Sequence, residues 1–420
     1  MTTLYQQLPA RSVFKVSLVL PLEFHFARAV VQGIQQAMAA HNTEARLRLN
    51  QAPLAAHQLP WTFFLHGGST SETGISQTIA EIETSHSDAI ICQLRSERLH
   101  DFITTFKKPV VQVMSSGDFP DIPAACSDNQ VVGTVGARHF LDRGLRHFAF
   151  VGGRVFSWSN IREDGFRNAF DQAATNNTGQ NDFTYSHIDI TSSTASEITE
   201  DLIRLGDAIE KLPRPVGIMA GCDRWGLLVA QIALERGIRI PEEISLLGVD
   251  NDQLFCELCN PPLSSVDQNL HAVGQSSARL LMEILRDGGA QKPVVSTAPA
   301  GVVGRGSSDL LAVGDEKVAE AIRLIRKNIG SGVNVKTLSH ALGLNRRTLQ
   351  RRFVSVIGRN PNQEIHRVRL ETALHLLPTG VSIQKIAAAA GFASSQHMSR
   401  VFMQEFNTKP TELRKRLYGR

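Results

Sequence analysis

From Phe14 to about Val303 the chain alternates short, almost continuously apolar runs with segments of helical period. FKVSLVL (14–20) precedes the amphipathic ARAVVQGIQQAMAAH (27–41), and SERLHDFITTFKK (96–108) separates DAIICQL (88–94) from PVVQVMS (109–115). HFAFVGG (147–153), PVGIMAG (215–221) and ISLLGVD (244–250) each lead into another helical stretch. Strands without polar alternation are buried on both faces, so the pattern predicts parallel sheets covered by helices on either side. Nearly 300 residues is too much for one open sheet, which predicts two doubly wound lobes. From Asp315 onward the strand-like runs stop, and only helical periodicity broken by Gly, Pro and Asn remains. The expected organisation is an α/β sensor of two lobes over 11–309, a linker over 310–314, and an all-α domain over 315–420.

The all-α domain repeats itself. LSHALGLNRRTLQRRFVSVIGRNP (338–361) aligns with IAAAAGFASSQHMSRVFMQEFNTKP (386–410): Gly343 and Gly391 precede Phe353 and Phe402, and each Phe is followed eight residues later by Pro361 or Pro410. The second copy has one more residue between its Gly and its Phe. Helix, tight Gly turn and helix, occurring twice, predict a pair of helix-turn-helix units. PNQEIHRVRLETALHLL (361–377) should join them, with Ile365, Val368, Thr372, Ala373 and Leu376 on one face. Leu338, Leu342, Leu344, Leu349 and Phe353 would pack the first unit.

A helix starting near Asn345, which can cap it, then exposes Arg346, Arg347, Gln350 and Arg351. Its counterpart offers Ser394, Ser395, Gln396, His397, Ser399 and Arg400. Arg and Gln can take paired hydrogen bonds from base edges in the major groove. Charge strengthens this reading. Residues 315–420 hold 19 Lys and Arg against 7 Asp and Glu, a net +12, whereas the rest of the chain is at −8. A basic domain on an acidic body points to a polyanion, nucleic acid before membrane. One such helix could be merely a solvated basic face; its duplication favours double-stranded DNA.

Residues 315–418 resemble the two-unit DNA-binding domain of the arabinose-regulator (AraC) family of bacterial transcription factors. The resemblance rests on LSHALGLNRRTLQRRF, the arginine-containing joining helix, VSIQKIAAAAGF and SRVFMQEFNTKPTELRKR. It departs at Asn407, where the family more often has Gly; Asn tolerates the left-handed turn. By position it implies Arg347, Gln350, Arg351, Gln396 and Arg400 as base-facing, with Ser395 on the same helix. Arg346 and Lys385 would contact phosphate. Arg352 is expected to support the helix or a phosphate rather than read a base.

The first 300 residues resemble the ligand-binding domain of the lactose-repressor (LacI) family, related to periplasmic sugar-binding proteins. GVDND (248–252) and PPLSSV (261–266) carry the resemblance, with SDNQVVG (127–133) and IREDGFRNAF (161–170) in support. By motif position it implies Arg162, Asp250, Gln268 and Asp128 as ligand contacts. Guanidinium and carboxylate groups can each bridge adjacent sugar hydroxyls, and Phe24 or Trp158 could cover an apolar sugar face. Bland alternatives stand beside these roles: Asp250 as a strand-end turn residue, and Trp158 as ordinary core or surface. Cys222, where sugar binders commonly have Asn, puts the identity of the sugar in question.

Sensor and DNA-binding domain in this order resemble the xylose-operon-regulator family over nearly the whole chain. The resemblance implies a sugar-responsive transcription regulator, an activator acting with RNA polymerase. Effector would close the two-lobed sensor and reposition the paired DNA-binding domains of a homodimer. The effector would be xylose or a related sugar. The rivals are a transport-type binding protein and a sugar-metabolising enzyme.

Other features argue for a cytoplasmic protein without a cofactor, a catalytic set or a metal. No apolar run approaches a membrane span, and the N-terminal apolar run contains Pro21 and lacks a small-residue cleavage site. Five cysteines do not make a disulfide framework, and CELC (256–259) has no second pair at zinc spacing. HGGST (66–70) has the look of an oxyanion loop, yet no G-x-S-x-G elbow accompanies it. Walker and dinucleotide fingerprints are absent.

Overall fold

The computed structural model describes residues 13–48, 55–68, 71–114, 119–176, 183–190, 195–287, 294–309, 315–357, 359–377, 381–406 and 408–418. The expected linker 310–314 and Asn407 lie outside these residues. Strands and helices alternate from β1 (Phe14–Leu20) through α1 (His25–Arg48), β2 (Trp61–Gly67), α2 (Glu72–Ser85), β3 (Ala89–Cys92), α3 (Glu97–Thr105), β4 (Val110–Val113) and β5 (Ala124–Ser127). The series continues with α4 (Asn129–Leu141), β6 (His147–Gly152), α5 (Ser157–Asn176), β7 (Thr184–Asp189), α6 (Ala195–Lys211), β8 (Val216–Ala220) and α7 (Asp223–Glu235). It ends with β9 (Ile244–Val249), α8 (Gln253–Leu258), β10 (Ser264–Asp267), α9 (Leu270–Asp287), β11 (Val294–Thr297) and β12 (Gly301–Val303).

These strands form two six-stranded sheets, in the orders β11-β5-β4-β3-β1-β2 and β12-β10-β9-β8-β6-β7. The first is parallel throughout, and in the second β7, β6, β8 and β9 run parallel. Val16, Leu18 and Leu20 of β1 pack with Ala27, Val30 and Ile34 of α1, and with Val273, Leu280 and Leu281 of α9. The opposite face of that sheet, Val19, Ile90 and Cys92, is covered by Ile75 and Ile82 of α2 and Leu99 and Ile103 of α3. Coverage on both faces explains why these strands carry no polar alternation.

Compactness divides the chain into two units. The first holds residues 1–133, 153–165 and 266–301; the second holds 134–152, 166–265 and 302–420. The second sheet, apart from residues 266–267 and 301, falls in one unit with the C-terminal helices.

Seven helices complete the described chain: α10 (Glu316–Lys327), α11 (Val335–Ala341), α12 (Arg346–Ile357), α13 (Pro361–Leu376), α14 (Ile383–Ala389), α15 (Ser395–Phe406) and α16 (Pro410–Tyr418). Their starts are written locally. Asp315 caps α10, Asn334 and Thr337 form a capping box on α11, and Asn360 and Gln363 form another on α13, whose first residue is Pro361. Leu338, Leu342, Leu349 and Phe353 form the first core, with Leu344 partly buried against it. Val318, Ala321, Ile322 and Ile325 of α10 complete that core. Phe392, Met398, Val401 and Phe402 centre the second core.

The joining helix α13 serves both cores. Ile365 and Val368 enter the first, Ala373 and Leu377 the second, with Leu370, Leu374 and Leu376 partly buried there. Thr372 is half-buried and turns its hydroxyl back to the Val368 carbonyl. Both turns need a left-handed glycine: Gly343 has φ +64° and Gly391 φ +76°. A methyl group on Gly343 would meet nothing within 4 Å, so only the backbone resists it. Gly343→Ala should therefore cost about 1–2 kcal/mol in urea unfolding, the left-handed penalty for a β-carbon alone. An unchanged midpoint would show that the turn relaxes.

Candidate functional site

In the first unit, Arg162 of α5 is buried (3% exposed) and held on three sides. Its Nε donates to Asn129 Oδ1 at 2.8 Å, and its Nη2 donates to Gln268 Oε1 at 2.7 Å. The guanidinium lies 4.7 Å from the Trp158 ring centroid, and Trp158 in turn stacks on Phe156 at 5.5 Å. The i to i+4 spacing of Trp158 and Arg162 places both on one face of α5. Gln268 is itself buried (1% exposed), and its backbone carbonyl accepts from Ser127 Oγ. Three of the expected ligand residues, Trp158, Arg162 and Gln268, are thus brought together around a cation fixed in plane and direction.

The other three are placed differently. Asp128 caps α4, with Oδ1 accepting from the Val131 N–H at 3.0 Å; the side chain that reaches Arg162 is that of its neighbour Asn129. Phe24 is half-buried and stacks on Phe26 at 5.8 Å. Asp250 lies in the second unit at the end of β9, with φ +114°, followed by Asn251 at +53°. Backbone of this kind in non-glycine residues is strained, and such strain collects at functional sites.

Beside Asp250 sits Asp223, 1% exposed, which sequence reasoning did not single out. Asp223 accepts from Ser265 Oγ at 2.6 Å, from the Asp252 N–H at 2.8 Å and from Cys256 Sγ at 3.5 Å. Burial first, and the Asp250 charge second, raise its carboxyl well above the ordinary range. Gly248 is required here, because a β-carbon would fall 2.1 Å from Asp223 Oδ1. Cys222 occupies the N-cap of α7 without a side-chain cap bond, the place where an Asn amide would act. Arg305 donates to Asn251 Oδ1 at 2.7 Å and holds that turn.

On the C-terminal helices, Arg346, Arg347, Gln350 and Arg351 of α12 are exposed, while Leu349 and Phe353 of the same helix are buried. Asn345 caps the helix through the Thr348 N–H at 2.8 Å. On α15, Gln396 and Arg400 are exposed and Ser395 is half-buried, with its hydroxyl 3.4 Å from Gln396 Oε1. Lys385 is exposed on α14. Arg352 turns away from this face and donates from Nη1 to both carboxylate oxygens of Asp315, at 3.1 and 3.0 Å.

Residues 137–308 match the periplasmic binding protein-like domain family, and residues 338–416 match a helix-turn-helix domain family. The xylose operon regulatory protein of Escherichia coli K12 is 27% identical over 370 residues, covering 86% of this chain and 91% of the relative. The protein of that name from Haemophilus influenzae is 26% identical over 409 residues, 96% of this chain and 98% of its own length. A solved xylose-binding transcription activator superposes with a TM-score of 0.57 at 23% identity, covering 97% of this chain and 99% of that one. The chain is similar to the xylose operon regulatory proteins over nearly its whole length, a periplasmic-binding-like domain followed by helix-turn-helix units. Its two sheets and its paired helix-turn-helix units are the architecture that the sequence pattern predicted.

Cys256 and Cys259 are free and buried, and Cys256 spends its thiol on Asp223. Among the described residues no group of three or more His, Cys, Asp or Glu is placed to hold a metal. Ser17 Oγ lies 2.9 Å from His66 Nε2, and His66 Nδ1 lies 3.1 Å from Glu81 Oε2, the order of a catalytic relay. Ser17 is 0% exposed and also bonded to Ser87 Oγ at 2.7 Å, so its hydroxyl is sealed in the sheet rather than offered to a substrate. No helix of the described residues is long and apolar enough to cross a membrane.

Proposed function

We propose that the protein is a cytoplasmic, sugar-responsive activator of a sugar-utilisation operon, a sensor and DNA reader rather than an enzyme. The observation that carries this reading is one chain holding two things: a buried guanidinium stacked on an aromatic ring, and duplicated helices with exposed Arg and Gln. Arg162, Trp158 and Gln268 contact the sugar, with Asp250, Asp128 and Phe24 contributing to the same function. The guanidinium supplies charge-assisted hydrogen bonds to hydroxyls, and Trp158 supplies an apolar face. A pentose is the effector class, after the xylose named for the relatives. The sensor spans 11–309 and the DNA-binding domain 315–420.

Arg347, Gln350, Arg351, Gln396 and Arg400 read bases, while Arg346, Ser395 and Lys385 position the helices on the backbone. A homodimer presents two such pairs to repeated half-sites, and RNA polymerase is the partner at the promoter. A gel-shift titration on the DNA upstream of the neighbouring operon, with D-xylose and a panel of other pentoses, tests the whole. A specific shift altered by one of them is expected; no specific shift under any condition refutes DNA regulation. Arg351→Ala and Arg400→Ala should each lower specific affinity by about 1–3 kcal/mol and relax preference at one base position. Uniform weakening across all sequences would make them phosphate contacts instead.

A further inference from the structure

The acidic and basic side chains of α13 do not all face solvent. Glu364 is 0% exposed and accepts from Arg367 Nη2 at 2.8 Å and from Arg359 Nε at 2.5 Å. Those two arginines reach out of the helical domain to the turn that follows α4. Arg359 Nη2 donates to the Asp142 backbone carbonyl at 2.6 Å, and its Nη1 lies 3.7 Å from the Asp142 carboxylate. Arg367 Nη1 lies 3.9 Å from that same carboxylate and 3.1 Å from Glu371 Oε2.

The contact is reciprocated from the sensor side. Arg143 is 3% exposed; its Nε donates to the Ser308 carbonyl at 2.8 Å, its Nη1 to the His139 carbonyl at 3.0 Å, and its Nη2 lies 3.8 Å from Glu371 Oε1. His139 Nε2, in turn, lies 2.8 Å from Ser308 Oγ. Charges that share partners around the buried Glu364 and Arg143 have few alternative arrangements, because slippage leaves those two unpaired away from water. Such a contact behaves as a rigid clasp.

We propose that this clasp, made by Asp142 and Arg143 with Arg359, Glu364, Arg367 and Glu371, is the mechanical link that carries effector state to the DNA-reading helices, with α4 as its lever. The inference rests on the sensor and reader roles proposed above. Helix α4 is continuous for thirteen residues, about 20 Å at the helical rise. At its first residue Asn129 accepts from Arg162, and just past its last residue Asp142 and Arg143 enter the clasp. On the far side, Ile365 and Val368 of α13 pack in the core that also holds Leu349 and Phe353 of α12. A shift of α4 that accompanies effector binding therefore moves α13, and α13 moves the first reading helix. No part of this route passes through the linker 310–314.

Two single substitutions in the full-length chain test it: Asp142→Asn, at a carboxylate 44% exposed, and Arg359→Gln, which leaves Glu364 paired with Arg367. Fluorescence anisotropy on upstream DNA, with and without the pentose that shifts the wild type, gives the first readout. The effector-induced change in affinity should fall from at least fivefold to below twofold in both variants, while the sugar still raises their melting temperature. Retention of the wild-type ratio in both variants overturns the proposal.

Hydrogen exchange gives a readout that needs no sugar, since coupling between sites is reciprocal. DNA binding should alter exchange at residues 139–145 of the wild type and leave it unaltered in both variants. No change in the wild type overturns the clasp. If DNA is shifted but no pentose acts, the effector class is wrong while the exchange experiment still decides the clasp. If no DNA is bound specifically, both fall.

Discussion

Glu364→Gln is expected to lower the stability of the C-terminal helices by about 3 kcal/mol at neutral pH. The expectation follows from what surrounds the carboxylate. Burial alone would push the Glu364 carboxyl up, but hydrogen bonds and charge from Arg367, and then from Arg359, outweigh burial and hold it at about 2. In the unfolded chain the same group titrates near 4.5. A carboxylate whose proton affinity is lowered by folding stabilises the fold where it is ionised in both states. That contribution is complete above the unfolded value and lost as pH falls through the folded one. A difference of this size corresponds to about 3 kcal/mol.

Glutamine keeps the shape and removes the charge, leaving two arginines without their shared counterion, the situation in which breaking a buried pair is most costly. Urea unfolding at pH 7 and again near pH 2 measures both predictions. The wild type should lose this increment between about pH 5 and pH 2, and the variant should begin without it. A variant as stable as the wild type at pH 7 would show that water, not Glu364, satisfies Arg359 and Arg367.

The same residue shows where the sequence stops being informative. Glu364, Arg367 and Glu371 stand at helical spacing, and along the chain they read as an exposed ladder of ion pairs, the commonest fate of such a pattern. Their partners Asp142 and Arg143 lie more than 200 positions earlier, so nothing local marks them as buried. Periodicity, by contrast, was decisive where burial is two-sided. FKVSLVL, DAIICQL and ISLLGVD have only one use, and all three are strands covered on both faces.

Polar strands escaped the pattern. TYSHID (184–189) is the edge strand β7, and SSVD (264–267) is β10, whose serines bond Ser307, Asp223 and the Arg305 backbone instead of packing. In the site, motif position pointed to Arg162, Gln268, Asp250 and Asp128. The structure brings Arg162 and Gln268 together, and the side chain that joins them from the start of α4 is Asn129 rather than Asp128. The capping bond that occupies Asp128 is a fact of geometry alone.

Arg162→Met should reduce pentose affinity by about 2–5 kcal/mol, enough to abolish the regulatory response at working sugar concentrations. Arg162 is not an exposed cation that water could replace. Its Nε and Nη2 are directed at Asn129 and Gln268, and its planar face rests on Trp158, so charge and orientation are set before a ligand arrives. Preorganised groups of this kind contribute most to affinity, because no ordering cost remains at binding. Methionine keeps much of the volume and the contact with Trp158 but donates no hydrogen bond.

The amide oxygens of Asn129 and Gln268 would lose their partner, so some loss of stability is expected as well. Calorimetric titration with the pentose, set beside thermal unfolding without it, separates the two effects. Arg162→Lys sharpens the test. It restores the charge without the planar fork, and should recover stability more than affinity if bidentate geometry is what the sugar requires. Wild-type affinity in the methionine variant would remove Arg162 from the effector site. DNA binding without sugar should stay within about threefold in both variants, since Arg162 is buried in α5 and lies outside α12 and α15.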